Sequence, residues 1–272
     1  MKKRWMVLLS ALLLLLSACA SAQDLRVDFY DMGKADSMLI TTPSGKRILI
    51  DAGTNKGGKA LVNRFKKEKI GSIDIMIITH YDKDHVGGAD KILEDIGVDL
   101  VYMPVYDKES KQYTQFAEAL EDTGTKANRM KIGSQTAFDT GDGVSFHLTA
   151  AHENYYGRDE ENDFSLAVRM SYGDTKFFFA GDAEDPRQRE LLEEGDVACD
   201  VLKVPYHGRL VNASEKFLKA ADPQIAFIPD SEEDPAHPVV IGILEELGAQ
   251  VYRAKDGDVA VVSDGKSVKA LR

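Results

Sequence analysis

The sequence predicts a single α/β domain in which two β-rich halves face each other and the helices lie outside them. Two observations lead to this prediction. The chain has 272 residues, 43% of them hydrophobic, and no linker, low-complexity tract or sequence repeat marks a second domain. In each half, strands that form hairpins come first, and alternating strands and helices follow. The same composition, with only 8 prolines, excludes a disordered tail, a collagen and a coiled coil.

In the first half, period-two alternation at residues 25–30 and apolar runs further along the chain predict strands, and apolar residues at helical spacing predict helices. Residues 42–46 read Thr-Pro-Ser-Gly-Lys, a turn composition that predicts a hairpin between the second and third strands. Residues 73–78 form a nearly continuous apolar run, which is typical of a strand covered on both faces. We predict strands at residues 25–30, 37–40, 47–50, 73–78 and 100–105, and helices at residues 60–70, 88–96 and 112–120.

The second half repeats this order of elements. Its apolar triplet Phe177-Phe178-Phe179 is interpreted as core, and Cys199, placed in a strand, as a buried and inert thiol. We predict strands at residues 144–150, 165–172, 176–180, 197–202, 224–228, 250–253 and 259–263, and helices at residues 186–194, 214–221 and 239–247.

The N-terminus has the features of a secretory signal. A basic start, Met1-Lys2-Lys3-Arg4, precedes an apolar run at residues 5–16 that is too short to span a bilayer. Residues 16–19, Leu-Ser-Ala-Cys, resemble the bacterial lipobox, which implies cleavage before Cys19 and acylation of that residue. The expected organisation is a signal peptide at 1–18, a short tether at 19–24 and a single globular domain at 25–272, giving an extracytoplasmic, membrane-anchored lipoprotein. The alternative is an ordinary cleaved signal with an incidental cysteine.

The strongest chemical signal is the run of residues 79–88, Thr-His-Tyr-Asp-Lys-Asp-His-Val-Gly-Gly. It follows a predicted buried strand, and strand ends are where α/β folds place ligand sites. Four ionisable groups at one loop repel one another unless a cation compensates them. The imidazoles of His80 and His85 and the carboxylates of Asp82 and Asp84 suit a divalent metal. The alternative is a polar turn in which Asp84 caps the next helix.

Three further groups follow predicted strands and could complete such a site. Asp182 comes after the phenylalanine triplet, His207 lies in Val-Pro-Tyr-His-Gly, and His237 opens a helix. Each of them alone would be interpreted as a cap or a surface side chain. Their shared position at strand ends instead favours a common site.

These residues resemble the metallo-β-lactamase fold in its HxDxDH variant, and most closely the extracytoplasmic hydrolase domain of ComEC-type competence proteins. The resemblance implies a four-layer αββα sandwich with the metals between the two sheets. Segments in the same order cover nearly the whole mature chain: residues 31–37 resemble DVGQGDS, 49–53 LIDGG, 162–166 N-D-x-S-L, 181–182 the Gly-Asp of the bridging ligand, 202–208 LKVPHHG and 236–238 GHP.

The resemblance implies two divalent metal ions, Zn or Mn, and assigns roles to individual residues. His80 and Asp82 would hold one ion, Asp84, His85 and His207 would hold the other, and Asp182 would bridge them. Three positions depart from the family pattern: Tyr206 replaces the first His of the double His, Arg209 replaces a Ser and Ala35 replaces a Gly. Many members also have a further His before the bridging Asp, where this chain has His152, so the first metal position is expected to be short of ligands.

The expected activity is hydrolysis of a phosphodiester by a metal-bound hydroxide. Asp84 or Asp182 would orient the hydroxide, His237 or Tyr206 would serve the leaving oxygen, and Arg209, Tyr206 and Asn162 are the expected substrate contacts. The substrate would be DNA, particularly single-stranded DNA, or an envelope phosphodiester such as a teichoic-acid phosphorylcholine. A monomer bound to the membrane through Cys19 is expected.

Two other functions remain open from the sequence. One is a non-catalytic metal-binding envelope module, suggested by Tyr206 and the missing ligand. The other is a lactonase or β-lactamase type of organic hydrolase. The net charge of −11 argues against a surface built as a whole for nucleic acid. Tyr155, Tyr156 and Arg158 either stack bases or form a polar loop.

Overall fold

The computed structural model describes residues 24–153, 156 and 161–272. The signal peptide at 1–18, Cys19 and nearly all of the tether lie outside the described residues, as do Tyr155 and Arg158. Within the described ranges, none of the helices combines the length and the apolar character that crossing a membrane requires.

Fifteen strands and six α-helices make up the described chain. The strands are β1 (Leu25–Phe29), β2 (Met38–Thr41), β3 (Arg47–Ile50), β4 (Ile73–Ile77), β5 (Val98–Pro104), β6 (Lys126–Met130), β7 (Gln135–Asp139), β8 (Val144–Thr149), β9 (Ala167–Tyr172), β10 (Thr175–Phe179), β11 (Val201–Lys203), β12 (Ile225–Ile228), β13 (Gln250–Arg253), β14 (Val259–Ser263) and β15 (Val268–Leu271). The helices are α1 (Asn55–Lys67), α2 (Ala89–Asp95), α3 (Lys111–Thr123), α4 (Asp185–Glu194), α5 (Ser214–Ala221) and α6 (Pro238–Glu246).

The strands form two sheets. The first has the order β15-β14-β1-β2-β3-β4-β5-β6, and the second β13-β12-β11-β10-β9-β8-β7. In the first sheet β3 to β6 run parallel, and in the second β10 to β13 do. The remaining pairs are antiparallel, including the predicted hairpin of β2 and β3, in which Met38 lies opposite Ile50. Each sheet therefore has several strand ends pointing the same way at one edge.

Three apolar clusters show how the layers stack. One lies between the sheets, where the rings of Phe29 and Phe227 are 4.7 Å apart between centroids. The second joins the first sheet to α1, α2 and α3, and the third joins the second sheet to α4, α5 and α6. This arrangement is the predicted four-layer αββα sandwich, because helices cover both outer faces of a pair of packed sheets.

The structure differs from the predicted elements in ways that have physical causes. Helix α1 begins before residue 60, at Asn55, where the Thr54 side chain caps it by accepting from the Gly57 amide. Gly58 lies in its first turn, and glycine is needed there because a Cβ would lie 2.3 Å from Gly88 Cα at the start of α2. The edge strand β6 was not predicted, since four of its five residues are exposed and it shows no alternation. The strands β7 and β15 were missed as well.

The prediction that Cys199 lies in a strand is wrong. Strand β11 begins two residues later, at Val201, because the Cys199 amide donates to Ala221 O, at the end of α5, and not to a neighbouring strand. Its thiol is nevertheless free and buried, and burial raises the pKa of Cys199 above its ordinary value. The phenylalanine triplet is buried, as predicted: its side chains pack into the apolar clusters on the two faces of the second sheet.

Candidate metal centre

The predicted site residues meet at the carboxyl ends of parallel strands from both sheets. The loop that carries His80 to His85 follows β4, and Asp51 follows β3 in the first sheet. In the second sheet, Asp182 follows β10 and His207 follows β11. The loop before β2 joins them, since the amide of Asp36 donates to Asp84 O (3.0 Å). The two sheets face each other, so these ends enclose one crevice.

Within the described ranges, Asp36, His85, Asp182 and His207 form a buried group whose possible ligand atoms all lie within 4.8 Å of one another. Three of the four were predicted as ligands. Asp36 was not, although it lies in the recognised segment 31–37, because nothing in its local pattern shows that the side chain is completely buried. Asp182 Oδ2 lies 2.8 Å from His207 Nε2 and 3.4 Å from His85 Nε2.

The histidines are held so that one ring nitrogen faces the crevice. His85 Nδ1 is 2.8 Å from Asp51 Oδ2, and His207 Nδ1 donates to Pro229 O at 2.9 Å. His80 Nδ1 lies 3.1 Å from the hydroxyl of Thr79. Among the described residues, the Nε2 atoms of these three histidines are buried and make no well-directed hydrogen bond, although His207 Nε2 has Asp182 Oδ2 at 2.8 Å.

Outer partners of this kind fix the ring orientation of metal-binding histidines. A buried imidazole nitrogen without a hydrogen bond is costly unless it binds a ligand. The orphaned nitrogens and the mixture of imidazole and carboxylate donors therefore fit a divalent metal.

A buried lysine that was not predicted lies beside this group. Lys203 Nζ is 2.5 Å from Asp36 Oδ2, 3.1 Å from Asp182 Oδ1 and 2.7 Å from Gly181 O. It neutralises part of the acidic charge and holds one oxygen of Asp182, which leaves Oδ2 facing the histidines. Burial raises the pKa of Asp182, but the nearby histidines and this ammonium outweigh burial and hold the pKa well below its ordinary value.

The crevice shifts the pKa values of two of its histidines in opposite directions. Burial lowers the pKa of His85, but the carboxylates of Asp182, Asp36 and Asp51 outweigh burial and raise it well above its ordinary value. Burial and the charge of His85 lower the pKa of His80 to about 4, so this ring is neutral at pH 7. Histidine binds metal as the neutral imidazole, so His80 is in the protonation state that a metal ligand requires.

The two carboxylates of the predicted metal motif have different surroundings. Asp84 Oδ2 lies 3.5 Å from His207 Nε2 and 3.9 Å from Lys34 Nζ. Asp82 Oδ1 instead lies 2.5 Å from Lys108 Nζ. Of the predicted ligands, Asp84 thus adjoins the four-residue group, whereas Asp82 is held by a lysine.

The backbone around the ligands requires glycine and carries strain. A Cβ on Gly87 would lie 2.2 Å from Lys83 O, so only glycine permits the close approach that the motif predicts. Tyr206 and His207 both have positive φ angles of 52°, in the left-handed region that residues other than glycine rarely adopt. Strain at a ligand-bearing turn is typical of functional sites.

A cavity of about 410 Å³ lies over the centre. Asp82, Asp84 and Asp182 form part of its floor. Four basic side chains line it within the described part of the chain: Lys34, Lys83, Lys108 and Arg209. Basic side chains thus outnumber the three aspartates of the lining by one, in a chain that is acidic overall.

The predicted substrate contacts divide into two groups. Asn162, Tyr206 and Arg209 line the cavity over the centre. Arg209 pairs with Asp234 at 2.7 Å. His237 is exposed, caps α6 through its Nδ1, and lines an adjoining cavity that shares Arg209 with the first.

His152 is placed away from the centre. Its Nε2 lies 3.1 Å from Glu194 Oε1, in a network in which the fully buried Arg187 also contacts Glu194. Tyr156, from the predicted stacking segment, donates to Glu190 Oε1 at 2.7 Å. Both side chains anchor the chain beside α4.

Comparisons with known proteins agree with this geometry. ComE operon protein 3 of Bacillus subtilis is 25% identical over 262 residues, covering 89% of this chain and 33% of the relative. Recombination protein 2 of Haemophilus influenzae is 27% identical over 216 residues, 77% of this chain and 25% of the relative. The chain thus spans a third or less of the length of these relatives.

The fold is shared with Igni18, a metallo hydrolase from the archaeon Ignicoccus hospitalis. The two are 16% identical, the match covers 92% of this chain and 99% of the other, and the TM-score is 0.56. The profile of the metallo-beta-lactamase superfamily matches residues 30–229, a range that includes the four-residue group and strands of both sheets. With its sandwich fold and its histidine and aspartate centre, the chain belongs to the metallo-β-lactamase superfamily.

Proposed function

We propose that this metallo-hydrolase cleaves phosphodiesters. The observation that carries the proposal is the basic cavity directly over the metal centre. Lys34, Lys83, Lys108 and Arg209 converge there although the chain carries a net charge of −11. Such a concentration of positive charge attracts a phosphate and stabilises the charge that develops on it during the reaction.

The chain's own residues supply binding and orientation. His85, His207, Asp84 and Asp182 would hold one divalent ion, and His80, Asp82 and Asp182 a second, with Zn and Mn as the expected metals. When bound, such ions polarise the phosphoryl group and lower the pKa of coordinated water. Both positions are those that the family resemblance implies.

Two side chains of the cavity are assigned to the substrate. Arg209 is held by Asp234 and presents its guanidinium to a phosphate oxygen, for which its planar fork is suited. Burial raises the pKa of Tyr206, so its hydroxyl is protonated at neutral pH and can donate to the leaving oxygen. Tyr206 takes this role in preference to His237, which lines the adjoining cavity.

A nucleic acid is the favoured source of the phosphodiester. One curated relative is named a recombination protein, and the four basic groups line one cavity over the centre. An envelope phosphodiester is the competing substrate. A panel of single-stranded DNA, duplex DNA and a phosphorylcholine ester separates these two sources.

The activity is tested on purified protein loaded with Mn²⁺ or Zn²⁺, using bis-p-nitrophenyl phosphate. We expect Asp182→Asn to lower kcat/KM by more than about 100-fold, because it changes a ligand and not only an outer partner. Asp122→Asn removes an exposed carboxylate on α3 and is the matched control. Activity that persists in Asp182→Asn overturns the catalytic assignment.

The same assay includes the other two functions as outcomes. Turnover of nitrocefin without phosphodiester hydrolysis would identify an organic hydrolase. Tight metal binding without turnover of any substrate in the panel would identify a binding module.

We further propose that the protein lies outside the cytoplasmic membrane and is anchored to it through Cys19. This location is supported by the residues 16–19, Leu-Ser-Ala-Cys, after a short apolar run. Labelled palmitate and membrane fractionation test it, with Cys19→Ser as the matched control. Label incorporated equally by both proteins, or by neither, contradicts the anchor.

A further inference from the structure

The two metal positions are not equally prepared to bind. At the position formed by His85, Asp182 and His207, the ligand atoms already face one another and lie within 4.8 Å. Lys203 is fully buried beside them, but it contacts Asp182 through Oδ1 and leaves Oδ2 toward the histidines. No movement of a side chain is needed to bring these donors together.

At the other position, a lysine side chain already contacts one of the two donors. His80 Nε2 is buried and, within the described residues, has no hydrogen-bond partner, so one donor is available. The second donor, Asp82, is engaged by Lys108, whose Nζ also contacts Glu161. Lys108 lies in the segment between β5 and α3, on the wall of the basic cavity.

We propose that Lys108 competes with the metal ion for Asp82, so that the two positions fill in sequence. The position at His85 and His207 fills first. The position at His80 and Asp82 fills only when Lys108 releases its carboxylate. This inference concerns metal loading, and it goes beyond the proposed reaction because it does not depend on which ester is cleaved.

The competition has a simple physical basis. An ammonium and a divalent ion cannot both approach Asp82 Oδ1 closely, because their charges repel at such a distance. The Lys108 ammonium lies between the carboxylates of Asp82 and Glu161, which stabilise its charged form. Lys108 is therefore charged at neutral pH.

Glu161 gives Lys108 a place to remain after the exchange. Its Oε2 contacts the same ammonium that contacts Asp82. When Lys108 leaves Asp82, its ammonium still contacts Glu161, so its charge remains compensated at the cavity wall. The pair Asp82 and Glu161 thus makes the exchange reversible.

The experiment measures metal binding directly. The purified full chain is freed of metal, and Mn²⁺ binding is followed by equilibrium dialysis and by the electron paramagnetic resonance signal of free Mn²⁺. We expect two ions per chain in the wild type, with the second bound about tenfold more weakly than the first, since a hydrogen-bonded ion pair must be broken.

Lys108→Met should tighten the second step by about tenfold and leave the first unchanged. Lys83→Met is the matched control, because it removes an equal charge from the same cavity and leaves the contact with Asp82 intact. Lys108→Arg keeps the charge and should keep the second step weak. Glu161→Gln should weaken the second step further, since Lys108 then has only Asp82.

Several results would overturn the proposal. Two equally tight steps in the wild type, an unchanged second step in Lys108→Met, or the same tightening in Lys83→Met would each do so. Loss of both steps in Lys108→Met would show that Lys108 supports the structure of the centre. None of these readings depends on activity, so the proposed phosphodiesterase can fail while the loading order holds.

Discussion

Replacing Lys203 by Met should strongly destabilise the protein. Lys203 and Asp36 are both 0% exposed, and Lys203 Nζ lies 2.5 Å from Asp36 Oδ2 and 3.1 Å from Asp182 Oδ1. The substitution keeps the volume of the side chain and removes its charge. The Asp36 carboxylate then stays buried without its ion-pair partner, and Gly181 O loses a donor.

The magnitude follows from the cost of leaving one charge of a buried pair uncompensated, which is about 3–5 kcal/mol. Burial already raises the pKa of Asp36 although Lys203 opposes this, so the environment penalises the carboxylate even in the wild type. The double variant Lys203→Met with Asp36→Asn removes both charges. It should recover part of the loss, because the Asp36–Lys203 pair is then replaced as a whole, whereas Asp182 still lacks its contact with Lys203.

Urea unfolding followed by circular dichroism, with a chelator present, measures both free energies of unfolding without a contribution from metal binding. Asp122→Asn, on the exposed face of α3, serves as the control for a surface charge. A loss below about 1 kcal/mol in Lys203→Met would refute the reasoning. So would a double variant that is no more stable than the single one.

Three other predictions concern residues outside the proposed set of metal ligands. Gly208→Ala should lower the free energy of unfolding by about 1–3 kcal/mol, since the φ of Gly208 is 73° and a Cβ there would lie 2.7 Å from a side-chain carbon. Gly133→Ala is the control, since its φ is 69° but a Cβ there would meet open space, and it should lower the free energy of unfolding by less in the same urea assay. In a Cys19→Ser protein, the remaining thiol of Cys199 should react with Ellman's reagent only after unfolding, because it is buried and its pKa is raised; prompt reaction in native buffer would contradict this. Phe227→Ala should lower the free energy of unfolding by about 3–5 kcal/mol, and Phe227→Leu by less, because the ring is buried between the sheets; a loss under about 1 kcal/mol would show that the core collapses around it.

Local patterns predicted those elements that are apolar runs bounded by turn residues or that carry apolar residues at helical spacing. The hairpin of β2 and β3 and the helix α5 were predicted from local spacing and turn composition alone. The strand β6 escaped prediction because four of its five residues face solvent, so its pairing with β5 is set by neighbours distant in sequence. Cys199 was misplaced because an apolar run can be buried by a helix end as well as by a strand.

The motif around His80 and His85 was sufficient to predict a metal site at the strand ends, since its residue types suit metal binding wherever they lie. It could not predict Asp36 or Lys203 as parts of the centre. Both belong to segments that resemble the family, yet their side chains meet only when the loop before β2 packs against the end of β11. The contact of Lys108 with Asp82 likewise joins two loops 26 residues apart.

By itself the sequence determined the fold class, the order of most elements and the chemical type of the site, because these depend on local spacing and on the donor atoms present. Only the tertiary structure decided which carboxylates face a metal, which ones a lysine holds, and that His152 pairs with Glu194 away from the centre. The reason is electrostatic. Whether a buried charge is compensated depends on which opposite charges lie within a few ångströms, and packing alone sets those distances.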